Sequence, residues 1–332
     1  MPDSAPVSLF RHPAWIAWKQ SQGWKRAETG LGCSALCRRI GTAGSMAYIP
    51  GPLSLPGLRA RDIEERGAAL EALSLRALLK LPSDCVFIRW DLMVEVWTDG
   101  RGSTLNKGLQ ELRMNASTAR RRFRKAPIEY TCPDTMILDL SGGPAAVWSG
   151  MEAKTRYSVR LAERRGTVVD KPGEAGLSAF HELHTQTASR KELPRHPEPL
   201  FREFFREARD RGLELDLYLA RYKDEPAAAA VVARVRDEAW YLFAASSSSL
   251  RASAGPSAVL HRAAVDCAQA GVRRMDLLGV SPPDSPNHPL AGLTRFKKGF
   301  GGRRHTRAGA WDYVVDAENY AGYARTEGLS GS

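Results

Sequence analysis

Residues Gly292 to Arg304, GLTRFKKGFGGRR, set two adjacent lysines, Lys297 and Lys298, in a short amphipathic run made by Leu293, Phe296 and Phe300. Aromatic residues four apart share one face of a helical turn. Phe296 and Phe300 therefore fix that face, and the lysine beside Phe296 is aimed by packing. Gly301 and Gly302 end the element and let backbone approach something bulky. Such a residue can hold one positive charge at the edge of a cleft. The competing reading is a helix end with solvated lysines. A second set of groups stands at the end of the apolar run CVFIRW, where Arg89 and Asp91 are two apart. Side chains two apart on a strand point the same way, so these are either cleft groups or a structural pair. A third is Lys19, beside Trp15 and Trp18 in HPAWIAWKQSQGWKR; the alternative there is a lysine snorkelling over core tryptophans.

Other constellations do less. His181-Glu182-Leu183-His184 is one residue short of the HExxH spacing that puts two zinc-binding histidines on one helix face. GFGG at 299–302 has no following Lys-Ser/Thr and no βαβ start, so it is not a phosphate loop. Ser246 to Ser249 lies in no nucleophile-elbow pattern. Cys33 and Cys37 are four apart with no second pair, so neither a zinc site nor any other metal site is expected, and the five cysteines read as reduced thiols.

These residues sit on an alternation of helical and strand patterns. Residues 12 to 26 read as a short helix, followed by a strand that ends at Tyr48-Ile49-Pro50. Asp62 to Leu79 has helical leucine spacing, Cys85 to Trp90 is a buried strand, Leu109 to Lys125 reads as helix, and Met136 to Leu140 as strand. Ser141 to Pro144 is a turn or linker, and a domain boundary is placed there. The second half reads as a basic helix from Ala145 to Arg165, a short strand at 167–169, and helices over 177–189 and 200–211. Alternating strands follow over 213–222 and 228–235, joined by the turn KDEP, with a third over 240–245. A helix from Pro256 to Ala270 and a strand from Met275 to Val280 lead into the lysine stretch. This order is a mixed α/β arrangement and is similar to that of N-acetyltransferases. In that fold a glycine-rich loop opening a helix cradles the pyrophosphate of coenzyme A. The loop here, SSSSLRASAGPS, lacks the Gln/Arg-x-x-Gly-x-Gly/Ala pattern, so no coenzyme A, and no other cofactor, is expected.

Length and composition fit this picture. The 332 residues suffice for two domains, 43% are hydrophobic and 26% charged. There is no apolar run long enough to span a bilayer and no secretory h-region, so a cytoplasmic protein is expected. The net charge of +11 points to polyanionic partners: nucleic acid, nucleotide-linked sugars or an anionic membrane surface met peripherally. The charge is clustered. One block is Arg120, Arg121, Arg122, Arg124 and Lys125, a second is Arg156, Arg160, Arg164 and Arg165 at helical spacing, and a third is Arg303, Arg304 and Arg307.

Five motifs occur in order: Asp139-Leu140-Ser141; Lys154-x-Arg156-x-x-x-Arg160-x-Ala162-x-x-x-Gly166; Tyr241-x-Phe243-x-x-Ser246-Ser247; Asp276-x-x-Gly279; and Gly292-x-x-x-Phe296-Lys297-x-Gly299-Phe300-Gly301. Together they resemble the FemABX family of aminoacyl-tRNA-dependent peptidyltransferases, most strongly over residues 136 to 302. The resemblance implies two N-acetyltransferase-like (GNAT) domains flanking a cleft, without the helical-arm insertion of some members. The first domain would comprise 1–143 plus 308–332, on the precursor side, and the second 144–307, on the aminoacyl-tRNA side. It implies transfer of an aminoacyl group from tRNA to an amine on the stem peptide of a peptidoglycan precursor, UDP-linked or lipid-linked, by a protein expected to be a monomer. The resemblance assigns Lys297 as the oxyanion-stabilising cation with Phe296 as its support, and Lys298 as its alternate. Lys298, Arg303 and Arg304 would face tRNA. Lys19, Arg195 and Tyr241 would bind precursor, with Arg89 beside them, and Asp91 would orient or deprotonate the attacking amine. His196-Pro197-Glu198-Pro199 departs from the aromatic the family tends to have after the position of Arg195. Competing readings are tRNA-dependent transfer in peptide natural-product assembly, acyl transfer from coenzyme A, and a non-catalytic nucleic-acid-binding protein.

Overall fold

The computed structural model describes residues 8–51, 63–98, 121–192 and 194–330. The chain divides into two compact units, Met1–Asp134 with His305–Ser332, and Thr135–Arg304. Among the described residues no helix is long and apolar enough to cross a membrane.

The first unit opens with helix α1, Pro13–Ser21, capped by the His12 ring accepting from the Ala14 N–H at 3.2 Å. Strands β1 (Lys25–Glu28), β2 (Ser34–Arg39) and β3 (Ser45–Pro50) form an antiparallel ribbon. Helix α2, Ile63–Leu78, leads to β4, Cys85–Thr98, which pairs parallel with β3. On its other side β4 pairs antiparallel with β12, Arg303–Val314, and β5, Phe123–Lys125, adds to β12 as well. Helix α9, Ala317–Ser330, follows β12. With neighbours on both sides and both faces covered, residues 85–90 of β4 read as a near-continuous apolar run rather than as an alternation; Phe87, Ile88 and Trp90 are fully buried. In α2, Leu70, Leu73 and Ala77 turn toward the sheet core, whereas Leu75, and Leu79 in the turn just after the helix, are 54% and 81% exposed, so the leucine run is not one inward stripe. The Trp90 indole N–H, deep in this core, donates to the Ser74 hydroxyl at 2.9 Å.

Two local expectations change here. Residues 25–50 carry three strands where one was expected. Phe123–Lys125 is strand rather than helix end, because it pairs with β12 and sets the Phe123 ring against Tyr313, tilted, with centroids 5.2 Å apart. Residues 109–120 of that expected helix lie outside the described residues.

The second unit contains β6 (Asp134–Asp139), α3 (Gly143–Gly150), α4 (Ala153–Arg164), β7 (Val168–Asp170), α5 (Leu177–Lys191) and α6 (Glu198–Asp210). It continues through β8 (Glu214–Tyr222), β9 (Glu225–Val235), β10 (Glu238–Ser246), α7 (Gly255–Gln269), β11 (Arg274–Gly279) and α8 (Ala291–Lys298). Its strands run in the order β6-β11-β10-β9-β8-β7, with only β10 and β11 parallel. β9 shows why helices cover both faces. Ala228, Ala230 and Val232 pack with Val259, Leu260 and Ala263 of α7, while Ala229 and Val231 pack with Phe180 of α5 and Phe201 and Phe205 of α6. The turn KDEP is a two-residue hairpin with Lys223 and Asp224 both left-handed, at φ 52° and 63°.

The basic helix expected over 145–165 is two helices. The chain extends at Met151 and Glu152, with ψ 147° and 150°, and the Glu152 N–H leaves the helical ladder to donate to the Gly299 carbonyl at 2.8 Å. Gly301, at φ 86°, lies against the same break: a Cβ there would stand 2.5 Å from the Gly150 carbonyl oxygen. The glycines after Lys298 thus permit the close approach that their spacing implies.

Candidate active site

In the second unit the parallel pairing of β10 with β11 runs only from Glu238↔Arg274 to Trp240↔Asp276. Beyond it the register of β10 slips against β9 between Tyr241 and Phe243, and that of β11 slips against β6 between Asp276 and Gly279. Leu278 sits in this second bulge at φ 59°, a left-handed conformation that costs a leucine about 1–2 kcal/mol. Asp276 holds it there. Its Oδ1 accepts from the Leu278 N–H at 2.8 Å and from the Thr135 hydroxyl. Carbonyls past the paired part of the strand need other donors, and Lys297 supplies one. Its Nζ donates to Gly279 O at 2.6 Å and to Leu278 O at 3.0 Å, and the residue is 5% exposed. Phe296 and Phe300 meet edge to face at 5.3 Å within the unit's core, which anchors the turn bearing Lys297. The Thr294 hydroxyl oxygen accepts from the Ser281 N–H at 2.8 Å and ties α8 to the chain leaving β11.

The other residues expected in this unit are dispersed. Lys298 is exposed, so of the two adjacent lysines it is Lys297 that packing orients. Tyr241 is built into the apolar core, and burial pushes its phenol pKa well up. Arg195 stands exposed on the loop between α5 and α6. Arg303 is exposed and Arg304 half-buried at the start of β12.

In the first unit Arg89 is wholly buried and does not pair with Asp91. Its guanidinium donates to both oxygens of Asp312, each at 2.8 Å, and to both oxygens of Glu327, at 3.1 and 2.8 Å. Burial acts to lower its pKa, but Asp312 and then Glu327 more than offset this and leave it raised. The substrate-binding role expected for Arg89 is therefore replaced by a structural one, an internal tie from β4 to β12 and α9. Asp91 is also buried. Its Oδ2 accepts from the Tyr48 hydroxyl at 2.7 Å and the Thr131 hydroxyl at 2.6 Å. Burial raises its pKa despite those two bonds. Tyr48 in turn meets Tyr130 edge to face at 5.0 Å, and Trp24 lies 5.9 Å from Tyr130. Across these rings lies Arg38, 4.6 Å from the Trp24 centroid, with Nη2 donating to the Tyr130 hydroxyl at 2.7 Å. Lys19 is 4.7 Å from the Trp18 ring and 5.4 Å from Trp15, and donates to Gln22 Oε1 at 3.3 Å. Burial, and secondarily the charge of Arg38, lower its pKa to about 8. Sequence reasoning missed Arg38, Tyr48, Tyr130 and Thr131. Their meeting depends on the β2–β3 register and on Tyr130 returning from far along the chain, neither of which leaves a local pattern.

Residues 149–298 match the acetyltransferase (GNAT) domain family. No curated protein sequence matches the chain. Among solved structures the chain is similar to FemX, with TM-score 0.74 at 17% identity over 96% of this chain and 95% of that one. It is also similar to the C-terminal domain of a putative lysylphosphatidylglycerol synthetase from Agrobacterium fabrum, with TM-score 0.53 at 11% identity over 91% and 87%. L-PGS from Bacillus licheniformis gives TM-score 0.51 at 11% identity over 90% and 86%. The fold is thus a mixed α/β fold of tandem GNAT-like domains.

A GNAT domain implies coenzyme A, with the pyrophosphate on the backbone N–H groups that open α7. The residues here do not fit it. The Gly255 N–H donates to the Ser253 hydroxyl oxygen at 3.0 Å, the Ser257 and Ala258 N–H groups to Ala254 O at 3.0 and 3.3 Å, and the Ala254 N–H to Arg251 O at 3.3 Å. Pro256 has no N–H to offer. The cradle is filled by the chain's own acceptors.

Proposed function

We propose that the protein transfers an aminoacyl group from aminoacyl-tRNA to an amine on the stem peptide of a peptidoglycan precursor, UDP-linked or lipid-linked, on the cytoplasmic side. The observation that carries this is the lysine of the Phe296-Lys297-x-Gly299-Phe300-Gly301 motif, held as a fixed cation by two carbonyls of a bulged strand end. An aminoacyl ester is already activated. The amine attacks the ester carbonyl, the carbonyl oxygen takes up negative charge, and collapse expels the terminal ribose hydroxyl, which takes the proton the amine gives up. The protein must hold amine and ester together, which contributes about 7–11 kcal/mol. It must also stabilise the oxyanion, where one fixed donor contributes roughly 3–4 kcal/mol. Lys297 is assigned that second task, with Phe296 as its support. Lys19 is assigned to anionic precursor, with the exposed Arg195 as a further contact; Tyr241, built into the apolar core, is assigned none. Lys298, Arg303 and Arg304 are assigned to tRNA. The filled loop at α7 favours this donor over an acyl-coenzyme A, and the GNAT match favours acyl transfer over nucleic-acid binding alone.

The test is transfer of labelled amino acids from a pool of charged tRNA to purified UDP-linked and lipid-linked precursors. Product mass names the amino acid and the acceptor. Absence of transfer to either precursor, together with turnover or thermal stabilisation by acetyl-coenzyme A, would reverse the choice of donor.

A further inference from the structure

Helix α4 buries Val159 and Ala162 and turns Tyr157, Arg160 and Arg164 outward, at the three- and four-residue spacing of a single ridge. Tyr157 is 57% exposed, and Lys154, Arg160 and Arg164 are exposed with it. The two flanking arginines are committed within the fold: Arg156 donates to Met151 O and Arg165 to Ala252 O. The ridge arginines lie instead against rings, Arg160 at 5.1 Å from Trp148 and Arg164 at 5.6 Å from Tyr157. Among the described residues none of Lys154, Arg160 and Arg164 makes an ion pair.

The same unit supplies a contrast. Helix α6 also carries arginines, but Arg202 pairs with Glu198, Arg206 with Glu203 and Arg209 with Glu174. That face is self-neutralised and the α4 face is not. The α4 ridge also begins where α8 ends, since the Glu152 N–H donates to Gly299 O at 2.8 Å, one residue after the exposed Lys298. From Lys154 to Arg164 it extends about 15 Å at 1.5 Å per residue. A helix that lies on a bilayer presents an apolar face to it. This ridge presents guanidinium groups interleaved with one aromatic ring, the combination that meets phosphates and stacks on bases.

We infer that the outward ridge of α4, Lys154, Tyr157, Arg160 and Arg164, is a docking surface for RNA, along which the acceptor end of the donor tRNA lies as it leads toward Lys298 and α8. The inference rests on the aminoacyl-tRNA reading above. It is tested with the full chain by fluorescence anisotropy, using an unacylated acceptor-stem minihelix ending in CCA, between about 50 and 200 mM salt. The double variant Arg160→Gln/Arg164→Gln should bind about tenfold or more weakly and lose about 2 from the slope of log affinity against log salt. Tyr157→Ala should weaken binding at least about fivefold, and the paired-arginine control Arg202→Gln should change neither quantity. Wild-type affinity and slope in the double variant overturn the surface, as does loss of binding to phosphatidylglycerol vesicles with RNA binding intact. The transfer assay separates the two readings. A wild type that transfers, with ridge variants that bind and transfer equally well, refutes the surface alone. A wild type that transfers from no charged tRNA, while ridge variants lose RNA binding, refutes the donor and supports the surface.

Discussion

Replacing Lys297 by methionine keeps an unbranched stem in the same space and removes the ammonium. Leu278 O and Gly279 O then lose charged donors at 3.0 and 2.6 Å. A hydrogen bond to a charged group contributes about 1.5–3 kcal/mol, so two at the lower end sum to about 3 kcal/mol. Leu278 keeps its strain of about 1–2 kcal/mol at φ 59° without one of the contacts that offset it. A domain of this size loses about 2–4 °C in Tm per kcal/mol, so melting should fall by about 6–12 °C. If Lys297 also stabilises the oxyanion, single-turnover transfer should drop by about 10²–10³ at a temperature where the variant is still folded. The assay is therefore paired: a thermal melt by circular dichroism, and single-turnover transfer from charged tRNA well below the lower melting point. A variant that melts with the wild type refutes the carbonyl anchor. A variant that melts low but transfers at the wild-type rate while folded refutes the catalytic role and leaves Lys297 a structural lysine.

Lys19 has its pKa lowered to about 8 by burial first and by Arg38 second. If its cationic form holds an anionic precursor, KM for that precursor should rise as pH increases through about 8, and Lys19→Arg should flatten the profile; an unchanged profile in the variant counts against the role. Arg89→Met leaves Asp312 and Glu327 facing each other inside the protein without their shared cation. Breaking such a buried set costs about 3–5 kcal/mol, read by urea unfolding, and a loss below about 1 kcal/mol would contradict the geometry. Asp91 has its pKa raised by burial, so the folded state holds this proton more tightly than the unfolded one. The stability it contributes is full below the unfolded value of about 3.9 and is lost as pH rises through the folded value. Asp91→Asn keeps an acceptor for Tyr48 and Thr131 and escapes that loss, so its stability should gain on the wild type as pH rises from about 4. A pH-independent difference would refute this, and unaltered transfer in the variant would remove Asp91 from the chemistry.

How far the sequence could be read depended on whether the informative contact was local. The helix around Phe296 and Phe300 and the glycine stop after Lys298 are readable because i, i+4 spacing and backbone freedom are properties of a few consecutive residues. So is the hairpin at KDEP. The break at Met151 and Glu152 has a local sign in Ser149-Gly150, but the contact that anchors it does not: the Glu152 N–H donates to the Gly299 carbonyl, far along the chain. The fate of Arg89 was hidden for the same reason. Its alternation with Asp91 is a property of β4, but its partners are on β12 and α9, and nothing near residue 89 shows that two carboxylates from residues 312 and 327 will reach it. Asp276 was visible as a motif residue. Its task of pinning a left-handed leucine was not, because strand bulges depend on which neighbour the strand has.

A net charge of +11 does not by itself distinguish charges that act on a ligand from charges that hold the fold together. What meets each charge does. Arg89 is met by two carboxylates, which cancel its field outside the protein, and the arginines of α6 are met by glutamates on the surface. Two neutral carbonyls accept from the nitrogen of Lys297, and such contacts orient a charge without themselves cancelling it. On α4 the contacts are to ring faces, which also leave the charge in place. Exposed, uncancelled charges should dominate the salt dependence of polyanion binding, because phosphates displace counterions only where a net charge faces them. A buried cation set on carbonyls should be nearly insensitive to salt, since screening is weak away from solvent. Removing Arg160 and Arg164 should therefore change how RNA affinity responds to salt, whereas removing Lys297 should change the transfer rate by the same factor at low and high salt. If both sets of variants responded to salt alike, Lys297 would be acting as one more contact to the tRNA backbone rather than at the reacting carbonyl.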